Sequence, residues 1–475
     1  MIATEPNTRY VSPLSSRYAD REMERLFSPQ FKFETWRRLW IVLAEGEKEL
    51  GLNITDQQIQ KMNREVSNID FERVDQIEGE LHHDVMAHIK AFGEVCPMAA
   101  PIIHLGATSC YVTDNTDTIQ IKQAVSHLIP KLIQVIEQLS DFACRYRDLP
   151  CLGFTHFQSA QPTTVGKRAC LWLQDLVWDY EELNRLKKEL KFLGVKGATG
   201  TQASFLSLFQ GDVEKVERLD RIVAEKMGFD QVFTITGQTY TRKQDIQILN
   251  VLASFGATVH KMATDIRLLA HLKEVEEGFG KKQVGSSAMP YKRNPILSER
   301  LCSLSRFLIS LSQNPLYTHA TQWLERSLDD SANRRITLSE AFLTADALLN
   351  ALVKVTKELK VNEKVVEKRL KEELPFIAAE NLLMKAVKKG GDRQELHEKL
   401  RQHTQAAANR LKEGYQEHHL TERIAQDTAF SLTKEEIGDT LDIRAFTGLA
   451  PRQVDRFLSE VSEKIKDASH NERWK

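Results

Sequence analysis

Apolar side chains recur every three or four residues over five long stretches of this chain. Between 119 and 143 they fall at Ile121, Val125, Leu128, Leu132, Val135, Leu139 and Phe142. Between 165 and 193 the positions are Ala169, Leu173, Leu176, Tyr180, Leu183, Leu186 and Leu190, and between 244 and 272 they are Ile248, Leu252, Phe255, Val259, Met262, Ile266 and Leu269. A fourth run covers 296–312, and a fifth covers 335–359 through Phe342, Ala345, Leu349, Leu352, Val355 and Leu359. This is the period of one helix face. Pro130 sits inside the first run and is expected to kink it, because proline lacks the amide donor and crowds the preceding turn. Strand-like alternation is scarce, and Gln231–Ile235 is the best short instance. The pattern predicts an all-α protein with a central bundle of long helices. Some of these helices carry apolar residues around much of their circumference, so partner subunits are expected to cover them.

The flanking segments read differently. The first hundred or so residues are polar and irregular, with helices expected near 31–50 and 71–92. From 361 the chain becomes charge-dense, with shorter helical patterns such as Val361–Arg369. Three domains are expected: 1–109, 110–361 and 362–475.

Composition narrows the class. The chain has 475 residues, with 65 Lys and Arg against 66 Asp and Glu. A formal charge of −1 gives no global attraction to nucleic acid or to a membrane surface, so any polyanion site must come from local clustering of cations. No uninterrupted apolar run reaches the length of a bilayer span, and the first ten residues lack the marks of a signal peptide. Six cysteines without C-x-x-C spacing fit reduced thiols in a cytoplasmic protein.

Four segments could carry chemistry. Gly285–Pro295 combines paired hydroxyls (Ser286, Ser287), the Lys292-Arg293 pair and two prolines, as a loop closing over an anion would. An ordinary connector with solvated charges has the same ingredients. Thr155-His156-Phe157-Gln158 presents a histidine, the side chain suited to proton transfer near neutral pH. Leu81–His88 is rich in His and Asp, and Asp84 and His88 could share a helix face, but no third ligand is suitably spaced for a metal. Leu105–Ser109 is a glycine-led turn with two hydroxyls, able to bind a carboxylate or simply to cap a helix. Beyond these, Trp323–Arg335 carries three arginines and two serines, either a solvated face or an anion clamp. No Walker A or dinucleotide fingerprint is present, Gly194–Gly200 reads as a tight turn, and no cofactor is implied.

The string Gly-Ser-Ser-Ala-Met-Pro-Tyr-Lys-Arg-Asn-Pro at 285–295 resembles the signature loop of the fumarase/aspartase superfamily. With Thr-His-Phe-Gln-Ser-Ala-Gln-Pro-Thr-Thr at 155–164 and Glu-Arg-Ser-Leu-Asp-Asp-Ser-Ala-Asn-Arg-Arg at 325–335, it is most similar to the adenylosuccinate lyase family. The resemblance implies a three-domain fold, a homotetramer whose active sites are shared between subunits, and β-elimination of fumarate from succinylated purine nucleotides without a cofactor. It implies Ser286 as base, His156 as acid, His83 orienting and polarising, and Lys292 as the loop cation. Thr108 and Ser109 are implied against the succinyl carboxylates. Arg326, Ser331 and Arg335 are implied on the nucleotide, and Arg17, Tyr18, His82, Asp84, Thr155, Gln238 and Arg300 as further substrate contacts. Another fumarate-releasing C–N lyase, such as argininosuccinate lyase, and a silent helical oligomer are the alternatives.

Overall fold

The computed structural model describes residues 10–280 and 282–471, without the side chains of 466–471. Most of the first ten residues and Lys281, just before the 285–295 loop, therefore lie outside the described residues. The five apolar runs are helices: Ser109–Arg145, Val165–Glu189, Lys243–His271, Ile296–Leu311 and Asp330–Glu358. Their periodic residues are buried, among them Leu132, Leu173, Leu252 and Leu352. The first continues through Pro130 to Arg145 without a break.

Two local expectations need correction. The expected helix over 71–92 is two helices, Phe71–Leu81 and Asp84–Val95. His82 adopts the left-handed conformation (φ 51°) that ends the first, and the His83 side chain caps the second. The 231–235 segment is no strand, and its Val232 makes only an isolated bridge to Phe192. Strands form elsewhere, where sequence alternation is masked. Pro150–Thr155 and Gln158–Thr164 make a hairpin, and Val275–Glu276 pairs with Lys360–Val361. The hairpin register slips between Leu152 and Gly153, and a bulge of this kind spoils a two-residue period. Gly153 is required there, since a Cβ would stand 2.5 Å from the Gln161 carbonyl oxygen.

The chain divides into two compact units. The first comprises 1–134, 178–263 and 299–354. In it the Pro29–Glu49 helix, N-capped by Ser28, buries Trp36 and Trp40 against Phe92 and the stacked pair Phe33–His88. His88 is thus a core residue, and burial pushes its imidazole down to about 4. The second unit comprises 135–177, 264–298 and 355–475. Its C-terminal helices share a core that includes Leu382, Leu400, Leu420, Ile424 and Phe430. One helix, Asp330–Glu358, is apolar and long enough to pass for a membrane span, but 72% of its most apolar window is buried in the fold. It is a core helix.

Two glycines give opposite predictions. Gly79, exposed in the last turn of the Phe71–Leu81 helix, has nothing within 4 Å of where a Cβ would stand, so Gly79→Ala should stabilise by about 0.5–1 kcal/mol. Gly166 faces backbone only, and a Cβ there would lie 2.3 Å from the Ala143 oxygen and 2.6 Å from the Arg147 Cα. Gly166→Ala must displace the start of the Val165–Glu189 helix, and thermal unfolding should show a lower Tm for it and a higher Tm for Gly79→Ala.

Candidate functional site

The loop at 285–295 is tied at its base and open at its tip. The Glu277 carboxylate, buried, accepts from the Leu297 and Ser298 amides (2.8 and 2.7 Å) and from the Ser298 hydroxyl (2.7 Å). It thereby satisfies the first donors of the helix beginning at Ile296, which would otherwise be orphaned. Asn294 donates to the Gly285 carbonyl (2.7 Å). A Cβ on Gly285 would lie 1.9 Å from the Lys292 carbonyl oxygen, so only glycine allows the two sides of the loop to approach. Within the loop the Ser286 hydroxyl oxygen accepts from the amides of Ala288 (3.3 Å) and Met289 (3.1 Å). Two backbone donors aimed at one oxygen favour its anionic form. Ser287, Lys292 and Tyr291 are exposed.

His156 occupies the tip of the Pro150–Thr164 hairpin. Thr155 pairs with Gln158, leaving His156 and Phe157 as a two-residue turn, both left-handed (φ 54° and 57°). Such mirror-image turns match the strand twist but normally recruit Gly or Asn. Holding two ordinary side chains there costs on the order of 1 kcal/mol each. The turn thrusts the imidazole into solvent, beside Phe157, whose ring leans on Phe154 (5.7 Å).

The first unit gathers the other expected residues into three groups. His83 Nδ1 accepts the Met86 amide (3.3 Å), which fixes the proton of the neutral ring on Nε2. That Nε2 lies 3.5 Å from the Ser109 hydroxyl, at the start of the Ser109–Arg145 helix beside Thr108. Asp84 pairs with Arg335 (2.9 Å). His82 contributes the left-handed corner, with its ring exposed. A second group is aromatic: the Arg17 and Arg300 guanidiniums stand 6.0 and 5.2 Å from the centre of the Tyr18 ring.

The third group is strapped together by buried charge. The Gln238 amide donates to the Glu325 carbonyl (3.0 Å), and its side-chain oxygen accepts from the Cys110 thiol (3.5 Å). Gly237 permits this contact, since a Cβ would meet the Glu325 carbonyl oxygen at 2.4 Å. Arg326 donates to Asp330 (3.1 Å), next to Ser331 in the first turn of the Asp330–Glu358 helix. Asp330 is shared with the buried Arg242 (2.7 Å), which also donates to Asp114 (2.8 and 3.2 Å). Arg334 donates to Asp245 (2.7 Å) and pairs with Asp117 (2.8 Å). Both guanidiniums stack on the Tyr240 ring, at 4.8 and 5.3 Å. Burial and the like charge of Arg334 would lower Arg242, but the carboxylates of Asp114 and Asp245 outweigh them and raise it.

Thr155, His156, Ser286 and Lys292 belong to the second unit, and the remaining expected residues to the first. Asp20, His127 and Asp346 have ligand atoms close enough to hold a metal ion, but the Lys131 ammonium pairs with both carboxylates.

A family model described as "Lyase" matches residues 18–307, and another described as "Adenylosuccinate lyase C-terminus" matches 375–457. Adenylosuccinate lyase of Saccharomyces cerevisiae is 54% identical over 454 residues, covering 95% of this chain and 94% of the relative. The chain belongs to the adenylosuccinate lyase family. Adenylosuccinate lyase of Schistosoma mansoni is 50% identical, over 95% of this chain and 94% of that protein. These identities place the chain among C–N lyases and do not favour argininosuccinate lyase or a silent oligomer. The fold itself is shared more widely. The 3-carboxy-cis,cis-muconate lactonizing enzyme from Pseudomonas putida superposes with a TM-score of 0.83 at 23% identity, over 94% of this chain and 98% of that one.

Adenylosuccinate lyase family motifs identified Arg326 and Arg335 in the sequence but not the buried network behind them. Arg334 and Arg335 are neighbours with opposite surroundings, 8% and 55% exposed. The signal was present: Arg334 is in phase with buried Leu338, Ala341 and Ala345. Removing one partner of a buried pair strands its carboxylates, so Arg334→Met should cost about 3–5 kcal/mol. Arg335→Ala, at an exposed pair, should cost less than about 1 kcal/mol. Denaturant unfolding of the two variants distinguishes them, and equal losses would refute the assignment of Arg334 to the core.

Proposed function

We propose that this chain eliminates fumarate from adenylosuccinate, giving AMP, and from succinylaminoimidazole carboxamide ribotide, giving aminoimidazole carboxamide ribotide, within purine nucleotide biosynthesis. The observation that carries the mechanism is the pair of amides around the Ser286 oxygen. A serine hydroxyl is a weak base, and these donors, with the Lys292 charge on the same loop, lower the cost of its alkoxide. Ser286 takes the proton from the carbon beside a carboxylate. The released electron pair forms the C=C bond of fumarate, the C–N bond breaks, and its pair goes to nitrogen. His156 delivers the proton that the leaving nitrogen needs. His83, with its proton held on Nε2, orients and polarises the substrate beside Asp84, His82, Thr108 and Ser109. The reaction needs no cofactor.

A nearly neutral chain must focus its cations locally on a substrate with one phosphate and two carboxylates. Arg17, Tyr18, Arg300, Gln238, Arg326, Ser331 and Arg335 form that field, with Thr155 beside the acid. Binding to nucleic acid or membrane has no such focus in this reading. We place the protein in the cytoplasm as a homotetramer with shared sites. Exposed apolar side chains support the assembly: Trp178, Trp323, Leu324, Leu328 and Ile336 are 65–97% exposed in the single chain. Burial pushes the thiols of Cys110, Cys151 and Cys170 up to about 12, 11 and 11, which supports inert, reduced cysteines.

His156→Asn, which tolerates the left-handed turn, and Ser286→Ala should each lower kcat by about 10²–10⁴-fold with the oligomer intact. Near-normal turnover by Ser286→Ala would remove the base, and a severe loss in Ser287→Ala would transfer its role. Mixing the two inactive variants should restore activity if the residues meet across subunits. A stable, active monomer in sedimentation would overturn the tetramer. Arg326→Ala and Arg335→Ala should raise KM by roughly 10- to 150-fold, and Lys292→Ala should mainly lower kcat. An unchanged KM in both arginine variants would remove them from the site.

A further inference from the structure

The long core helix Asp330–Glu358 carries Asp346 and Asn350 one turn apart. On the Ser109–Arg145 helix, His127 and Lys131 are likewise one turn apart, and the four side chains converge. The Lys131 ammonium donates to Asp346 and to the Asn350 Oδ1 (2.8 Å), and His127 Nε2 lies 3.6 Å from Asp346. A third segment enters this polar layer. Asp20 accepts from Lys131 (2.6 Å), stands 3.0 Å from His127 Nε2, and donates its backbone amide to Asp346 (2.7 Å). Asn350 Nδ2 reaches the Tyr18 carbonyl (3.4 Å). The segment so held is the arm bearing Arg17 and Tyr18, whose ring lies against Arg300.

We propose that Lys131 is a positioning residue, a tethered cation that fixes the Arg17–Tyr18 arm in place to hold the anionic nucleotide end of the substrate. This rests on the lyase reading above. Two observations separate it from simple charge neutralisation. Asp346 is fully buried and one cation would satisfy it, yet a second carboxylate is brought from the arm to the same ammonium. Like charges meet there because Lys131, with His127 beside it, stands between them, so the arm's docking draws on that ammonium. Burial would raise the Asp20 carboxyl, but hydrogen bonds from Lys131 and the Met23 amide, the charge of Lys131 and the His127 hydrogen bond bring it down to about 2. Asp20 also caps the Arg21–Leu26 helix through that amide (2.9 Å). Asn keeps a helix cap, so Asp20→Asn removes the ionic docking and little else.

The test is steady-state kinetics on adenylosuccinate for Asp20→Asn and Lys131→Ala, with oligomer and Tm checked for each. Asp20→Asn should raise KM about tenfold while kcat stays within about threefold, the signature of lost uniform binding. Lys131→Ala should raise KM further, and added methylammonium should partly restore it by refilling the cage. Wild-type KM in a folded Asp20→Asn overturns the proposal, and that variant decides alone if Lys131→Ala does not fold. Trypsin cleavage after Arg17 in the ligand-free protein reads the arm independently of activity. Faster cleavage in Asp20→Asn supports the docking role and equal rates overturn it, whereas an inactive wild type would sink the lyase reading instead.

Discussion

Asp114 sits inside a long helix where water cannot solvate its charge, and Arg242 makes that charge tolerable. From this pair one buried charge network of the first unit follows. Arg242 reaches on to Asp330 and Arg334 answers Asp245 and Asp117, while Tyr240 fills the space between the two guanidiniums. Each member would be costly alone, and together they leave few unsatisfied partners. The network fixes the turn holding Gln238 and the helix start holding Arg326, Ser331 and Arg335, so the face proposed to bind the nucleotide stands on a buried, charged foundation. Surface arginines without such backing would lose binding energy to their own ordering.

The second unit solves a different problem, how to carry the proposed acid and base on irregular backbone. The hairpin presents His156 from a strained two-residue turn, and the loop presents Ser286 from a turn of its own amides. In both cases the backbone conformation, more than the side chain, determines where the chemistry points. Gly153 and Gly285 make these close approaches possible through what they lack.

Much of this was legible in the sequence. The long helices declared themselves by period, because burying one face of a helix leaves an unmistakable spacing. The start of the helix at 296 was visible in the proline before it. The hairpin at 150–164 was not, since its bulge and its threonines break the alternation that a strand needs for recognition. The split at His82–His83 was hidden too: a left-handed non-glycine residue has no compositional mark. The candidate site was legible as motifs only. The candidate ligand contacts lie in short contiguous strings, whereas the residues that hold them, such as Asp114, Arg242 and Asp346, are scattered along the chain and meet only through folding.

The base of the 285–295 loop has a further consequence. The chain enters it from a short strand pair at Val275–Glu276 and leaves it at a helix whose first amides are held by the very next residue, Glu277. Entry and exit are therefore clasped at one carboxylate. Swinging the tip needs no unwinding of the helix and adds almost no loop-closure entropy cost, since the ends never separate. A tip moving on such a clasp would leave the start of the helix in place.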